Sequence, residues 1–502
     1  MTFAARLESV RRGHAGADEL ANLAELALAQ GEEEAALPFL VRGAERSPDA
    51  RLWQWTGLLQ RALDEHEDAL ASFGRAARIA PFDASIARGR AQVAFEAGLD
   101  AVALFEHARR LAPEKGDLLL ALAAARLAVG RGEEAIAELD AILAQAPLWL
   151  QGHAQLAQLR AVLGHSAQAT ASIERALAAM PAEPALWTSL FDLSLRREDF
   201  AALEVAVGRA RTAGQDEGLC SEYAAVAAAE RDDADRAAAL FDRVPAVAQP
   251  RLAIWRIRHF LRTGQLDRAL RLIDNELKGE RAAAAWPYAA MAWRLAGDAR
   301  SGWLEADSRL VATIDLGGLP SLDRLAALLR SLHIAKGEYL DQSVRGGTQT
   351  DGPLFSRIDP LIRSARTEVV TAIGRYIADL PDNDASHPLL RHRRDRRIRF
   401  AGSWSVRLRD GGYHANHVHP QGWISSALYV ALPARQPGES PEAGWLALGE
   451  PQAALGVDLR PTHLIEPREG RLVLFPSWMW HGTRPFANGE RLTIAFDVAP
   501  PR

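Results

Sequence analysis

The sequence predicts two units, an N-terminal all-α repeat solenoid and a C-terminal β-rich domain, and three observations lead there. The chain has 502 residues, more than one hydrophobic core usually organises. Its first half is alanine-rich and almost free of strand patterns, with prolines at regular intervals. After about residue 308, helical periodicity gives way to alternating runs separated by Gly/Pro-rich loops. Hydrophobic residues at 48% and charged residues at 25% exclude a mainly disordered chain. No run approaches the ~18 apolar residues of a membrane-spanning helix. The start, Met-Thr-Phe-Ala-Ala-Arg, has no apolar stretch of the kind a secretory signal needs. Cys220 is the only cysteine, which excludes internal disulfides and thiolate metal clusters and points to the reducing cytoplasm. A net charge of −5 gives no global attraction to nucleic acid or anionic membrane.

Proline supplies the ruler of the first unit. Pro48, Pro81, Pro113, Pro147 and Pro181 follow one another at spacings of 33, 32, 34 and 34. Twelve residues before each stands an alanine: Ala36, Ala69, Ala101, Ala135 and Ala169. A small residue at a fixed register lets two antiparallel helices approach closely, and proline ends the second helix because it has no N–H to donate. Turns fall at Gly31, Gly98, Gly130 and Gly164. The unit resembles the tetratricopeptide repeat, a helix–turn–helix of 34 residues. A looser continuation without the proline runs from Ala185 to about Ala306, with Trp187, Trp255, Trp286 and Trp293 at helix-packing positions. Residues 1–307 therefore read as a solenoid whose concave surface suits a peptide or protein. A purely structural arm, or one that forms homo-oligomers, is the competing reading.

The second unit, residues 308–502, opens with helical periodicity in Leu319–Leu332 and Asp359–Leu380. Strand-like runs follow at Arg397–Leu408, Ile424–Leu432, Gly444–Leu448, Arg471–Phe475 and Arg491–Val498. Helices followed by short strands suggest a sheet or barrel backed by helices.

Five of the 14 histidines lie between His414 and His481. In Tyr413-His414-Ala415-Asn416-His417-Val418-His419-Pro420, an extended chain sends His417 and His419 to one side and His414 to the other. His481 stands 64 residues after His417, just past the apolar run Leu472–Trp480. A pair plus a distant third suits a metal, while His414 and His463 read as structural. In the last strand, Leu492, Ile494 and Phe496 share one face and Arg491, Thr493, Ala495 and Asp497 the other. Packed with its apolar face on the helices, that strand turns Arg491 into the barrel. A buried guanidinium there requires an anionic partner, which a carboxylate ligand satisfies with help from Thr493. An exposed arginine on an edge strand is the alternative.

Histidines on one strand, a distal histidine and Arg-x-Thr ten residues later resemble the iron(II)- and 2-oxoglutarate-dependent oxygenases. The closer likeness is to the 2-oxoglutarate–iron oxygenase family often fused to tetratricopeptide repeats. That family has His-x-His-Pro, a strand like Ile424–Val430, a segment like Phe475-Pro476-Ser477-Trp478 and a terminal Arg-x-Ser/Thr strand. The chain is also similar to aspartyl/asparaginyl and prolyl hydroxylases. The resemblance implies a double-stranded β-helix (jelly-roll), with Fe(II), 2-oxoglutarate as cosubstrate and O2. It implies His417, His419 and His481 as metal ligands, with His419 or water in the third place, since His419 stands where most such enzymes carry a carboxylate. It implies Arg491 and Thr493 as the 2-oxoglutarate contacts, with Tyr429 and Ser425 beside them on a shared face. Gly346–Gly352 also matches the family; by physics alone it is a flexible loop.

Trp404, Asn416, Trp423 and Trp478 are candidates for the substrate mouth. The run Arg391–Arg397 reads as a solvated face, or as a dock for an acidic substrate or nucleic acid. Three functions stay in view. The first is a hydroxylase of a protein or peptide captured by the repeats, which hang from the barrel by a short connection. The second is a small-molecule oxygenase whose repeats serve assembly. The third is a binding scaffold whose barrel has lost catalysis.

Overall fold

The computed structural model describes residues 2–13, 15–244, 252–337, 339–340 and 343–501. Nineteen α-helices lie among the described residues from Phe3–Arg12 to Arg300–Glu305; after the first, they pack as nine successive antiparallel pairs. Each ruler proline lies two residues past a helix end, at Arg46, Ile79, Leu111, Gln145 and Ala179. The alanines of the repeat are no more than 1% exposed, so the helix backbones meet where any larger side chain would hold them apart.

A left-handed residue closes the first helix of each pair and recurs every 32–34 residues: Gly31, Asp64, Gly98, Gly130, Gly164, Glu198, Asp232, Gly264 and Gly297. Three of these are not glycine and accept a backbone cost of about 1–2 kcal/mol. Proline marks only the first five repeats, whereas this turn runs through the whole array. First helices of successive pairs touch one another along nearly the whole solenoid, which makes theirs the concave side.

Among the described residues the second unit holds nine strands: β1 (Ala312–Asp315), β2 (Val344–Gln349), β3 (Phe400–His414), β4 (Ile424–Ala431), β5 (Leu446–Leu448), β6 (His463–Ile465), β7 (Arg471–Pro476), β8 (His481–Thr483) and β9 (Glu490–Val498). They form an antiparallel six-stranded sheet, β1-β7-β4-β9-β3-β2, and a three-stranded sheet, β6-β5-β8. A bridge from His417 to His481 adds the segment after β3 to the smaller sheet. This is the jelly-roll. Helices Leu322–Leu332 and Pro360–Asp379 pack on the larger sheet, sharing a core with Leu428, Leu472, Ile494 and Phe496. No helix among the described residues is long and apolar enough to cross a membrane.

Three expectations need correction. Most of Gly346–Gly352 is not a flexible loop, because β2 pairs with β3 through a bulge at Gly346. A Cβ at Gly347 would stand 2.4 Å from the Arg407 carbonyl oxygen, so glycine is needed for two backbones to meet. The basic run is a solvated face only in part: Arg391, Arg393, Asp395 and Arg397 are exposed, but the run also docks on the solenoid. Arg396 pairs with Glu32, Arg397 with Glu65 and, just beyond the run, Arg399 with Glu33, all at helix N-termini of the solenoid. Finally, the barrel does not hang from a short connection. One hydrophobic core runs from Ile257 to Val498. The Trp480 indole donates to the Pro287 carbonyl (3.1 Å), and the Ile358 and Gly337 amides donate to Ala97 and Val162 carbonyls. The barrel lies along the edge of the solenoid.

Candidate metal centre

The site forms where the chain leaves β3 and meets β8. His417 and His481 exchange both backbone hydrogen bonds (2.9 and 3.0 Å), and the His419 amide donates to Ser477 (3.0 Å). The backbone thereby fixes the roots of three imidazoles. Ring centroids lie 4.1 Å (His417–His481), 4.9 Å (His417–His419) and 5.0 Å (His419–His481) apart. One nitrogen from each falls within 4.8 Å of the others.

Each ring is also held at Nδ1. His417 Nδ1 lies 2.9 Å from the Ala415 carbonyl, His481 Nδ1 2.9 Å from the Met479 carbonyl, and His419 Nδ1 2.8 Å from both Asp497 oxygens. A carbonyl or ionised carboxylate only accepts, so Nδ1 carries the proton and Nε2 keeps its lone pair for a metal. Ser343 Oγ lies 3.1 Å from His417 Nε2. Burial, then the neighbouring imidazoles, hold His417 and His481 far below the usual histidine range. They are neutral, the form that ligates a cation.

β9 faces as its alternation requires: Arg491, Thr493, Ala495 and Asp497 line the cavity, while Leu492, Ile494 and Phe496 join the core. Arg491 is 3% exposed. Its Nη1 donates to the Gly444 carbonyl (3.0 Å), its Nε has no partner, and neither has the Tyr429 hydroxyl. The guanidinium lies 5.0 Å from the centre of the Tyr429 ring. Burial lowers the pKa of Arg491 and raises that of Tyr429. A buried cation beside an unsatisfied hydroxyl is costly as it stands and fits an anionic ligand. Three imidazole Nε2 donors and this anion seat therefore suit a metal ion with an anionic ligand beside it.

Other candidates divide. Trp404 and Asn416 line the cavity, with Trp404 5.5 Å from the His419 ring. Trp423 does not: it is buried, donating to the Leu389 carbonyl (2.9 Å). Trp478 packs on His387 instead. Ser425 turns its hydroxyl to Asp497 (2.6 Å), and Ala427 leaves space in the wall. His463 is in β6, away from the cluster, whereas His414 lines the cavity. Burial, with the Arg491 cation next in weight, pushes His414 down to about 3.

The sequence reading gave Asp497 a face but no role, although its parity with Arg491 was the available signal. It missed the solenoid's share entirely. The cavity, of about 760 Å3, is lined by Leu195, Arg196, Arg197, Glu198 and Trp255 as well as by the barrel. Glu198, one of the left-handed turn residues, pairs with Arg345 of β2 (3.3 Å). A second, more apolar groove of about 640 Å3 runs between helices Leu150–Val162 and Pro184–Arg196 on the concave side, and Arg196 lines both.

Residues 402–497 match the family model described as "Putative 2OG-Fe(II) oxygenase", a segment that contains every barrel residue of the site from His414 to Asp497. No curated protein matches the chain. Among solved structures the chain is similar to YrrB, described as a TPR protein with an unusual peptide-binding site. The identity is 17%, over 36% of this chain and 95% of that one, with a TM-score of 0.29. It is also similar to a tetratricopeptide repeat protein from Parabacteroides merdae (18% identity, 46% and 93% covered, TM-score 0.29). A third is a thermophilic TPR protein of Thermus thermophilus (21% identity, 34% and 94% covered, TM-score 0.26).

Proposed function

We propose that this chain is a 2-oxoglutarate- and Fe(II)-dependent dioxygenase that hydroxylates a side chain of a protein or peptide held by the repeats. One observation carries the reading: three imidazoles and a buried guanidinium whose Nε has no partner share one cavity, within the segment that matches the oxygenase model. Bound iron with 2-oxoglutarate supplies the oxidation, splitting O2 between a substrate C–H bond and the keto acid, which leaves as succinate and CO2. The chain's own residues do the rest. His417, His419 and His481 hold the metal through Nε2, and the Nδ1 hydrogen bonds keep those atoms aimed. The Arg491 fork takes the far carboxylate of the cosubstrate, with the Thr493 and Tyr429 hydroxyls beside it. Trp404 and Phe475 give the cavity apolar walls that limit water.

The peptide substrate is supported by Arg196, which lines both the concave groove and the cavity. An extended segment lying between the two helices would send one side chain past Leu195 toward the histidines. A small-molecule substrate is the second reading, favoured by a cavity of about 760 Å3, within the usual range of small-ligand sites. The reducing cytoplasm remains the proposed compartment, on the lone buried Cys220. The test is mass spectrometry of proteins retained by the full-length chain, incubated with Fe(II), 2-oxoglutarate and O2. The peptide reading expects one added oxygen on a bound protein, absent with His481→Ala. Oxygen incorporation only into free metabolites would transfer the reading to the small molecule.

A further inference from the structure

We infer that Asp497 is a positioning residue of the metal centre, fixing His419 and supplying from one bond further out the negative charge that the three-histidine set lacks. This rests on the proposed metal site. His417 and His481 point Nδ1 at neutral carbonyls, whereas His419 alone points it at a carboxylate, 2.8 Å from each oxygen. Asp497 is itself held. It is 8% exposed, Ser425 donates to its Oδ1 (2.6 Å), and the Ser425 and Ser477 hydroxyls lie 3.0 Å apart. The backbone above is glycine for a reason: a Cβ at Gly422 would stand 2.6 Å from Ser477 Oγ and 3.1 Å from Asp497 Cβ.

An ionised acceptor on Nδ1–H fixes the tautomer and the plane of the ring, and it pushes electron density toward Nε2, so the imidazole binds a cation more strongly. His419 can thus stand in for a carboxylate ligand because Asp497 restores the charge behind it. The same pairing makes His419 unlike its two neighbours, which receive no charge through Nδ1.

The test is Co(II) binding by the full-length chain, followed by titration and by the visible spectrum of the bound ion. Asp497→Asn keeps an acceptor for Nδ1–H and removes the charge; loss of such a partner typically weakens metal binding by about 10–100-fold. The expected result is a loss in that range, a shifted Co(II) spectrum, and recovery of most affinity in Asp497→Glu. In a His419→Ala background, Asp497→Asn should cost nothing more, since its route to the metal is gone. Wild-type affinity and spectrum in Asp497→Asn would overturn the inference and leave the metal site standing. Further loss in the His419→Ala background would also overturn it, by making Asp497 a ligand in its own right. A wild-type chain that binds no Co(II) would remove the metal site and the inference together. Should Asp497→Asn not fold, Ser425→Ala carries the same test, with a few-fold loss and a spectral shift expected and an unchanged spectrum overturning it.

Discussion

Arg491 is buried with its Nη1 bonded to the Gly444 carbonyl and its Nε bonded to nothing. A guanidinium has five donors in a rigid fork, so an arriving carboxylate would gain charge-assisted hydrogen bonds worth about 1.5–3 kcal/mol each. Lysine at this position retains the charge and loses the fork. Arg491→Lys should therefore weaken 2-oxoglutarate binding by about 10–100-fold, and Arg491→Ala by more, measured by equilibrium binding with Fe(II) present. Unchanged affinity in the alanine variant would contradict the assignment. At the histidines, His417→Ala or His481→Ala leaves two imidazoles and should abolish iron retention on desalting. These residues were legible because each obeys a short-range rule: parity along β9, and His-x-His on an extended chain. Asp497 obeyed the same parity, but its partner His419 lies 78 residues away, and no local pattern announces that pairing.

Elements with room for a period were readable, and those without were not. The helix Pro360–Asp379 and strands β4, β7 and β9 fall within a residue or so of their expected bounds, whereas β3 runs on past Leu408 to His414. β1, β6 and β8, of three or four residues, are too short to show alternation, and the glycines of β2 mimic a loop. The solenoid was readable from its small residues, and Ala135 tests the reason. Ala135→Leu places three extra carbons at a helix contact that is 1% exposed and should cost about 1–3 kcal/mol, seen as a lower denaturation midpoint.

One element contact also sets a pH dependence. His333, at the end of the helix Leu322–Leu332, lies 2.8 Å from Thr348 Oγ1 on β2 and 3.1 Å from Ser405 Oγ on β3. Burial, helped by the Arg407 cation, lowers it to about 4. The unfolded histidine takes up a proton near pH 6.5 while the folded one stays neutral, so its contribution is complete above pH 6.5 and is lost as pH falls toward 4. At about 1.4 kcal/mol per pH unit, His333 accounts for about 2 kcal/mol between pH 7 and pH 5. His333→Gln should flatten that part of the metal-free stability profile in chemical denaturation; an unaltered slope would exclude it as a source.

The whole molecule is a barrel docked along a solenoid edge by a row of ion pairs, with a shared core behind them. Arg363–Glu67 and Arg397–Glu65 are solvent-facing and should contribute little. Arg399–Glu33 differs, because Glu33 is 2% exposed. Glu33→Ala should cost about 1–3 kcal/mol, less than a fully buried pair because Arg399 keeps some water. The shared core means that removing residues 1–300 would strip Ile257, Tyr288 and Trp293 from it, so a barrel fragment tests folding rather than capture. This interlock was invisible in the sequence: it joins residues far apart in the chain, in pairs such as Arg396 with Glu32 and Trp480 with Pro287. No composition or period encodes such a separation. It also explains why Arg391–Arg397 read as a free basic face, since its acidic partners lie in separate repeats.

Turnover of 2-oxoglutarate on iron in this cavity is measured by succinate formation in the full-length chain. With Fe(II), O2 and 2-oxoglutarate, the wild-type chain should release succinate above the no-iron background. His481→Ala and Arg491→Ala, both folded, should fall to that background. Succinate formation at wild-type rate in either variant, or none from an iron-loaded wild type supplied with a protein it retains, would contradict the oxygenase assignment.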